Sequence, residues 1–81
     1  MFYVYTICSI KRNYIYPGLT DNVERRFHEH QSGNNGTTKP FRPFKIILIE
    51  EYGNRSDARK REKFFKSGLG KEYIKREILK H

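Results

Sequence analysis

The chain is predicted to take an α/β (α+β) fold, a small three-stranded antiparallel sheet flanked by helices in the order β-β-α-β-α-α. Three observations predict it. Two tyrosine-rich stretches of strand character, 2–8 and 13–16, lie four residues apart. A third stretch, FKIILIEEY at 44–52, has the length and β-branched content of a buried strand. The intervening and following segments carry apolar residues at helical spacing behind helix-starting residues. Eighty-one residues suit a single domain, 1–81, burying about 60–65% of its unfolded surface.

The first strand, 2–8, reads FYVYTIC, and SIKR (9–12) is polar enough for a loop. NYIY (13–16) resumes the strand pattern. If Cys8 faces Asn13, then Tyr5 lies opposite Tyr16 and Ile7 opposite Tyr14. A slip of two residues keeps the tyrosines on one face, whereas a slip of one separates them. Pro17 cannot donate to a ladder, so the second strand is expected to be an edge that ends there, with Gly18 in a turn. Asp21 and Glu24 form a capping box, and Val23, Phe27 and His30 share a helical face, so 21–32 reads as a helix stopped by Gly33. SGNNGTTKPFRP follows as a long loop, a kind that is often functional in a small domain. FKIILIEEY is expected to be the best-buried strand. Ser56 is the expected cap of a second helix, 57–67, with Ala58, Phe65 and Leu69 on its buried face and Gly68 and Gly70 interrupting it. A last helix, 71–80, carries Tyr73, Ile74 and Ile78 on one side.

Lys and Arg total 17 against 9 Asp and Glu, a net charge of +8. Residues 1–54 carry seven basic and five acidic residues, net +2, and residues 55–81 carry ten and four, net +6. Such a surface attracts polyanions; it also serves as a merely solvated face. The single cysteine, Cys8, excludes an internal disulfide and a cysteine-rich zinc site. No apolar run reaches transmembrane length, the longest being IILI at 46–49, and no signal-peptide order opens the chain. A cytoplasmic protein without membrane association is therefore expected. No Walker loop, dinucleotide fingerprint, zinc ribbon or Ser/His/Asp pattern is present.

Two helices place charge where apolar residues are expected. Arg26 and His30 are four apart and project together, with His30 about 20° from Val23. Glu62 lies about 40° from Ala58, toward the buried side of its helix. Each has an ordinary explanation: an ion pair to a nearby Lys or Arg for Glu62, a solvated side chain for Arg26, contact with helix-end carbonyls for His30, plain packing for the tyrosines. In combination they suggest a site.

In that combination the chain resembles the GIY-YIG nuclease superfamily, and in particular its small stand-alone bacterial members. YVY (Tyr3 to Tyr5) stands where the first tripeptide stands and YPG (Tyr16 to Gly18) where the second does. VERRFHEH resembles the arginine helix, and DARKREKFFKSG the helix carrying the glutamate, here Glu62. ERRFHEHQSG, TKPFRPFKI and REKFFKSGLG extend the similarity over about residues 2–76. Tyr3 replaces a glycine and Pro17 an isoleucine.

The resemblance implies a metal-dependent endonuclease that hydrolyses DNA phosphodiester bonds. It implies that Tyr5 accepts the proton of the attacking water with Tyr16 beside it. Arg26 would hold phosphate oxygens, and His30 would steady Arg26 or touch phosphate. Glu62 would bind one Mg²⁺ or Mn²⁺. The four groups Tyr5, Tyr16, Arg26 and Glu62 are then expected around one shallow basic concavity. Arg25, Lys39, Arg42, Arg59, Lys63 and Lys66 are the expected nucleic-acid contacts. DNA is the expected partner, branched and single-stranded forms included, with no protein partner identified. The alternative is a non-catalytic nucleic-acid-binding module that keeps the fold.

Overall fold

A computed structural model describes residues 1–79 of the chain. Its elements are β1 (Phe2–Ser9), β2 (Ile15–Thr20), α1 (Val23–Ser32), β3 (Phe44–Tyr52), α2 (Arg55–Lys66) and α3 (Gly68–Tyr73). A 3-10 turn, Lys39–Phe41, precedes β3, and a π-helical stretch, Ile74–Leu79, continues α3. The order is the expected β-β-α-β-α-α and the sheet is antiparallel, with strands in the order β2-β1-β3. The expected end of the last helix at residue 80 lies outside the described residues.

The hairpin register differs from expectation by two residues: Tyr5 faces Gly18, and Ile7 faces Tyr16. Ser9 is the reason. Its backbone N–H donates to the Tyr14 carbonyl at 2.9 Å, and its side-chain oxygen accepts from the backbone N–H groups of Lys11 and Arg12 at 3.2 and 3.0 Å. Ser9 thus closes the hairpin, and the loop is 10–13 instead of 9–12. Because the slip is even, Tyr5, Ile7, Tyr16 and Gly18 still share one face.

Pro17 does not end β2, which runs on through Gly18 to Thr20. Counted from the bonded Ser9–Tyr14 pair, Thr6–Pro17 is a non-hydrogen-bonded pair, so the proline nitrogen points off the free edge, where no donor is needed. Gly18 is accordingly a strand residue, not part of a turn.

β3 spans the expected residues but is not the best-buried strand. β1 is central, with Val4 and Ile7 fully buried, while β3 is an edge with Ile46 and Ile49 exposed. The run of isoleucines reports strand tendency; burial depends on which strand gains two neighbours.

The cap of α1 lies one residue after the expected one and that of α2 two residues before. Asn22, not Asp21, caps α1 by accepting from the Arg25 N–H, and Asn54, not Ser56, caps α2 by accepting from the Asp57 N–H. Gly33 ends α1 with φ of 82°, the left-handed conformation that glycine adopts without strain. The break between α2 and α3 is made by Ser67, whose hydroxyl accepts from the Gly70 N–H at 3.1 Å and so opens the next helix. The helical count of α2 therefore stops before Leu69, which is 74% exposed instead of buried.

The two sheet faces carry separate clusters. Val4, Ala58, Phe65 and Ile74 pack together on the side of α2 and α3. Full burial of each large apolar side chain there contributes about 1.5–3 kcal/mol. Tyr5, Ile7 and Phe44 pack on the other side, against Val23 and Phe27 of α1 and against Tyr14, Tyr16 and Phe41. α1 and α2 thus lie on opposite faces, and a group from each can meet only by reaching around a sheet edge.

Candidate active site

That meeting occurs at the free edge of β2. The Tyr5 ring leans from the central strand across Gly18, so closely that a Cβ at residue 18 would collide with the ring and hydroxyl. A glycine inside a strand is the sequence sign of such close approach. The Tyr5 hydroxyl is thereby carried toward the edge.

α1 supplies His30 and Arg26 to this point. His30 is fully buried. Its ring lies between the two tyrosines, with centroids 5.8 Å from Tyr5 and 5.2 Å from Tyr16. Nε2 of His30 is 2.8 Å from the Tyr5 hydroxyl, and Nδ1 is 2.9 Å from the Thr38 hydroxyl. His30 is therefore not a surface helix-end residue: it is buried, and both ring nitrogens have partners inside the protein. Arg26 donates to Glu29 at 2.8 Å and remains about one-third exposed.

α2 supplies Glu62 from the opposite face. Its side chain is 14% exposed, and Oε2 is 3.2 Å from Lys66 Nζ. Lys66 in turn lies over the Tyr16 ring, 5.7 Å from its centroid. The ion pair weighed for Glu62 from its spacing is thus present, and it is also what links α2 to the tyrosine face.

These neighbours shift the ionisations. Burial pushes Tyr5 up to about 12; the Arg26 guanidinium beside it pulls the other way, and Tyr16 and Glu62 reinforce the rise. Burial, and then Arg26, hold His30 below its ordinary value, with Glu29 opposing. His30 is therefore neutral at pH 7. The hydrogen bond from Arg26 holds Glu29 below the usual carboxylate range.

The expected phosphate-gripping residues are dispersed. Arg25 is exposed but paired with Asp21 at 3.2 Å and Glu29 at 3.8 Å. Arg25 and Arg26, with Arg55, line a surface cleft that contains neither tyrosine nor Glu62. Arg59 and Lys63 are exposed on α2, and Lys39 is exposed on the 3-10 turn. Arg42 is exposed, with its Nε donating to the Lys39 carbonyl at 3.2 Å. Arg61 has a different task. It pairs with Glu50 at 2.9 Å and stacks over Phe64, Phe65 and Tyr73.

Thr38 carried no sequence signal. It sits in an aperiodic loop beside an identical residue, Thr37, yet is fully buried on His30.

The GIY-YIG catalytic domain family matches residues 1–75. The chain belongs to the GIY-YIG family. It is 35% identical over 68 residues to the UPF0213 protein of Limosilactobacillus reuteri, covering 80% of this chain and 70% of that one. It is 43% identical over 63 residues to the UPF0213 protein of Syntrophus aciditrophicus (74% and 70%). It is 39% identical over 61 residues to UPF0213 protein SH2523 of Staphylococcus haemolyticus (74% and 73%). No solved structure matches the chain significantly. GIY-YIG domains are nuclease domains acting on nucleic acid, typically with a divalent metal.

Among the described residues no cluster of three or more His, Cys, Asp and Glu could hold a metal. Glu62 is the carboxylate that α2 ties to the tyrosine face, through Lys66 over the Tyr16 ring. One carboxylate fits an ion that keeps most of its waters and completes its shell with phosphate oxygens, as Mg²⁺ does. Among the described residues no helix is long and apolar enough to cross a membrane.

Proposed function

We propose that this GIY-YIG chain is a divalent-metal-dependent endonuclease that hydrolyses DNA phosphodiester bonds, with the Tyr5 oxygen taking the proton of the attacking water. The observation that carries the reading is the buried 2.8 Å bond between the Tyr5 hydroxyl and His30 Nε2, supported by the Glu62–Lys66 pair that reaches the Tyr16 ring from α2.

That bond answers a difficulty. Forming the free Tyr5 phenolate at pH 7 would cost about 7 kcal/mol, given a hydroxyl pushed up to about 12. A relay avoids the free phenolate. As water gives its proton to the Tyr5 oxygen, the tyrosine's own proton passes to neutral His30 Nε2. The hydroxide formed adds to phosphorus, and the bond to the leaving oxygen breaks. His30 then carries the proton as an imidazolium, and the leaving oxygen is protonated from solvent. As product leaves, Nε2 returns its proton to the Tyr5 oxygen, whose own proton goes to solvent, and both groups are restored. Arg26 holds non-bridging oxygens with its planar fork, which Glu29 orients. Tyr16, against the His30 ring, orients the water. Glu62 would hold one Mg²⁺ or Mn²⁺, which when bound polarises the phosphate and stabilises the leaving oxygen. The exposed Arg59, Lys63 and Lys39 would grip backbone phosphates without reading sequence. A cytoplasmic setting suits the free, buried Cys8.

The Glu62–Lys66 ion pair favours a second reading, a nucleic-acid-binding module in which Glu62 is structural. Glu62→Gln separates the two. With Glu62 as metal ligand, Mn²⁺-dependent cleavage falls by orders of magnitude and DNA binding persists or tightens. The melting temperature moves by no more than about 8 °C, since an ion pair whose lysine is half-exposed is worth about 1 kcal/mol or less. A larger drop in melting temperature, with activity per folded molecule intact, would support the structural role.

A further inference from the structure

The loop between α1 and β3 contains a buried polar chain that the proposed reaction leaves unused. Thr38 is fully buried although Thr37 and Lys39 on either side are exposed. Its hydroxyl oxygen lies 2.9 Å from His30 Nδ1 and 3.4 Å from the Asn35 carbonyl. That carbonyl also accepts from the backbone N–H groups of Thr38 and Lys39, at 3.2 and 2.9 Å, so it is held in place.

A neutral histidine has one donor nitrogen and one acceptor. Two proton arrangements therefore fit these contacts. In one, the Tyr5 hydroxyl donates to Nε2, Nδ1–H donates to Thr38, and the Thr38 hydroxyl donates to the Asn35 carbonyl. Every donor then has an acceptor. In the other, Thr38 donates to Nδ1 and Nε2–H donates to the Tyr5 oxygen. The Tyr5 proton must then find a partner elsewhere, and the neighbouring Arg26 guanidinium has only donors. The remaining groups around His30 do not reverse this choice. They are Glu29 on its own helix, which Arg26 engages, the Tyr16 ring of β2 and the Phe44 ring of β3.

We propose that Thr38, anchored on the Asn35 carbonyl, is a positioning residue that fixes His30 as the Nδ1–H tautomer and so keeps Nε2 open to the Tyr5 proton. This rests on the reading of His30 as proton acceptor, but the tautomer belongs to the resting protein and can be read without any DNA. It also gives the long loop a task at the site apart from gripping nucleic acid.

The test is ¹⁵N NMR of the histidine-labelled full chain at pH 7.5, with the His30 signals identified by their loss in His30→Gln. The expected wild-type pattern is a protonated Nδ1 and an unprotonated Nε2. Thr38→Ser should keep that pattern. Thr38→Val, which has the same shape without the hydroxyl, should shift the population toward Nε2–H. Its kcat for cleavage should fall about 10- to 100-fold at an unchanged KM, with Ser restoring it. A wild-type His30 that carries its proton on Nε2 overturns the proposal even if the valine variant does not fold. So does a folded valine variant whose tautomer is unchanged. If the tautomer responds as expected while the wild type cuts no DNA, Thr38 keeps its role toward His30 and the hydrolytic reading falls.

Discussion

At His30 the site joins protein stability to chemistry, and pH should reveal both. Its folded-state ionisation lies below the ordinary value near 6.5, so the unfolded chain binds the extra proton more readily. The stability it contributes is present above pH 6.5 and is lost as pH falls through the depressed value. Tyr5 acts in the opposite sense. Its stabilisation is present below pH 10 and is lost as pH rises toward about 12. Melting curves from pH 5 to 8 should steepen their decline below 6.5, and His30→Gln should flatten it. The cleavage rate should show an acid limb with its midpoint below 6.5 and a plateau above it. A rate that instead climbs tenfold per pH unit toward pH 10 would mean a free phenolate base. Part of this residue-level arrangement was legible in the sequence: the hairpin slip is even, so Tyr5 and Tyr16 share one face. The task of His30 was not, because its burial comes from Thr38 in a loop without periodicity and from a tyrosine on another strand. Helical spacing placed it beside Arg26 but could not name its partners.

Among the elements, two glycines with different neighbours should separate activity from folding. A Cβ at Gly18 would meet the Tyr5 ring, a side chain that can swing away. Gly18→Ala should cost about 1–3 kcal/mol and remove cleavage by displacing the Tyr5 hydroxyl. A Cβ at Gly70 would collide with the Phe64 carbonyl, backbone that cannot yield without breaking the α2–α3 junction. Gly70→Ala should cost more than about 3 kcal/mol, with activity per folded molecule retained. Urea melts beside single-concentration cleavage assays measure both. Element order and most spans were legible from strand patterns, capping residues and helical spacing. Boundary chemistry was less so: Asn22 and Asn54 cap in place of Asp21 and Ser56, and any of these side chains can accept the N–H bonds. The centrality of β1 over β3 was not legible either, since strand pairing is decided by tertiary contacts.

Over the whole molecule, the net charge of +8 should appear as salt dependence. Four phosphate contacts would lower DNA affinity about 100-fold between roughly 50 and 200 mM salt. An affinity that stays flat in a salt titration would make the basic surface a solubility device. Charge alone does not separate a cutter from a binder, because both need it. Tyr5 does, since only hydrolysis requires its hydroxyl. The most direct measurement is therefore cleavage of a labelled panel of duplex, nicked, branched and single-stranded DNA, with and without Mn²⁺, by the wild type and by folded Tyr5→Phe. The expected result is cutting of at least one DNA form only with Mn²⁺ by the wild type, while Tyr5→Phe binds that DNA and leaves it intact. A wild type that cuts none of them, or cutting that survives in Tyr5→Phe, would contradict it.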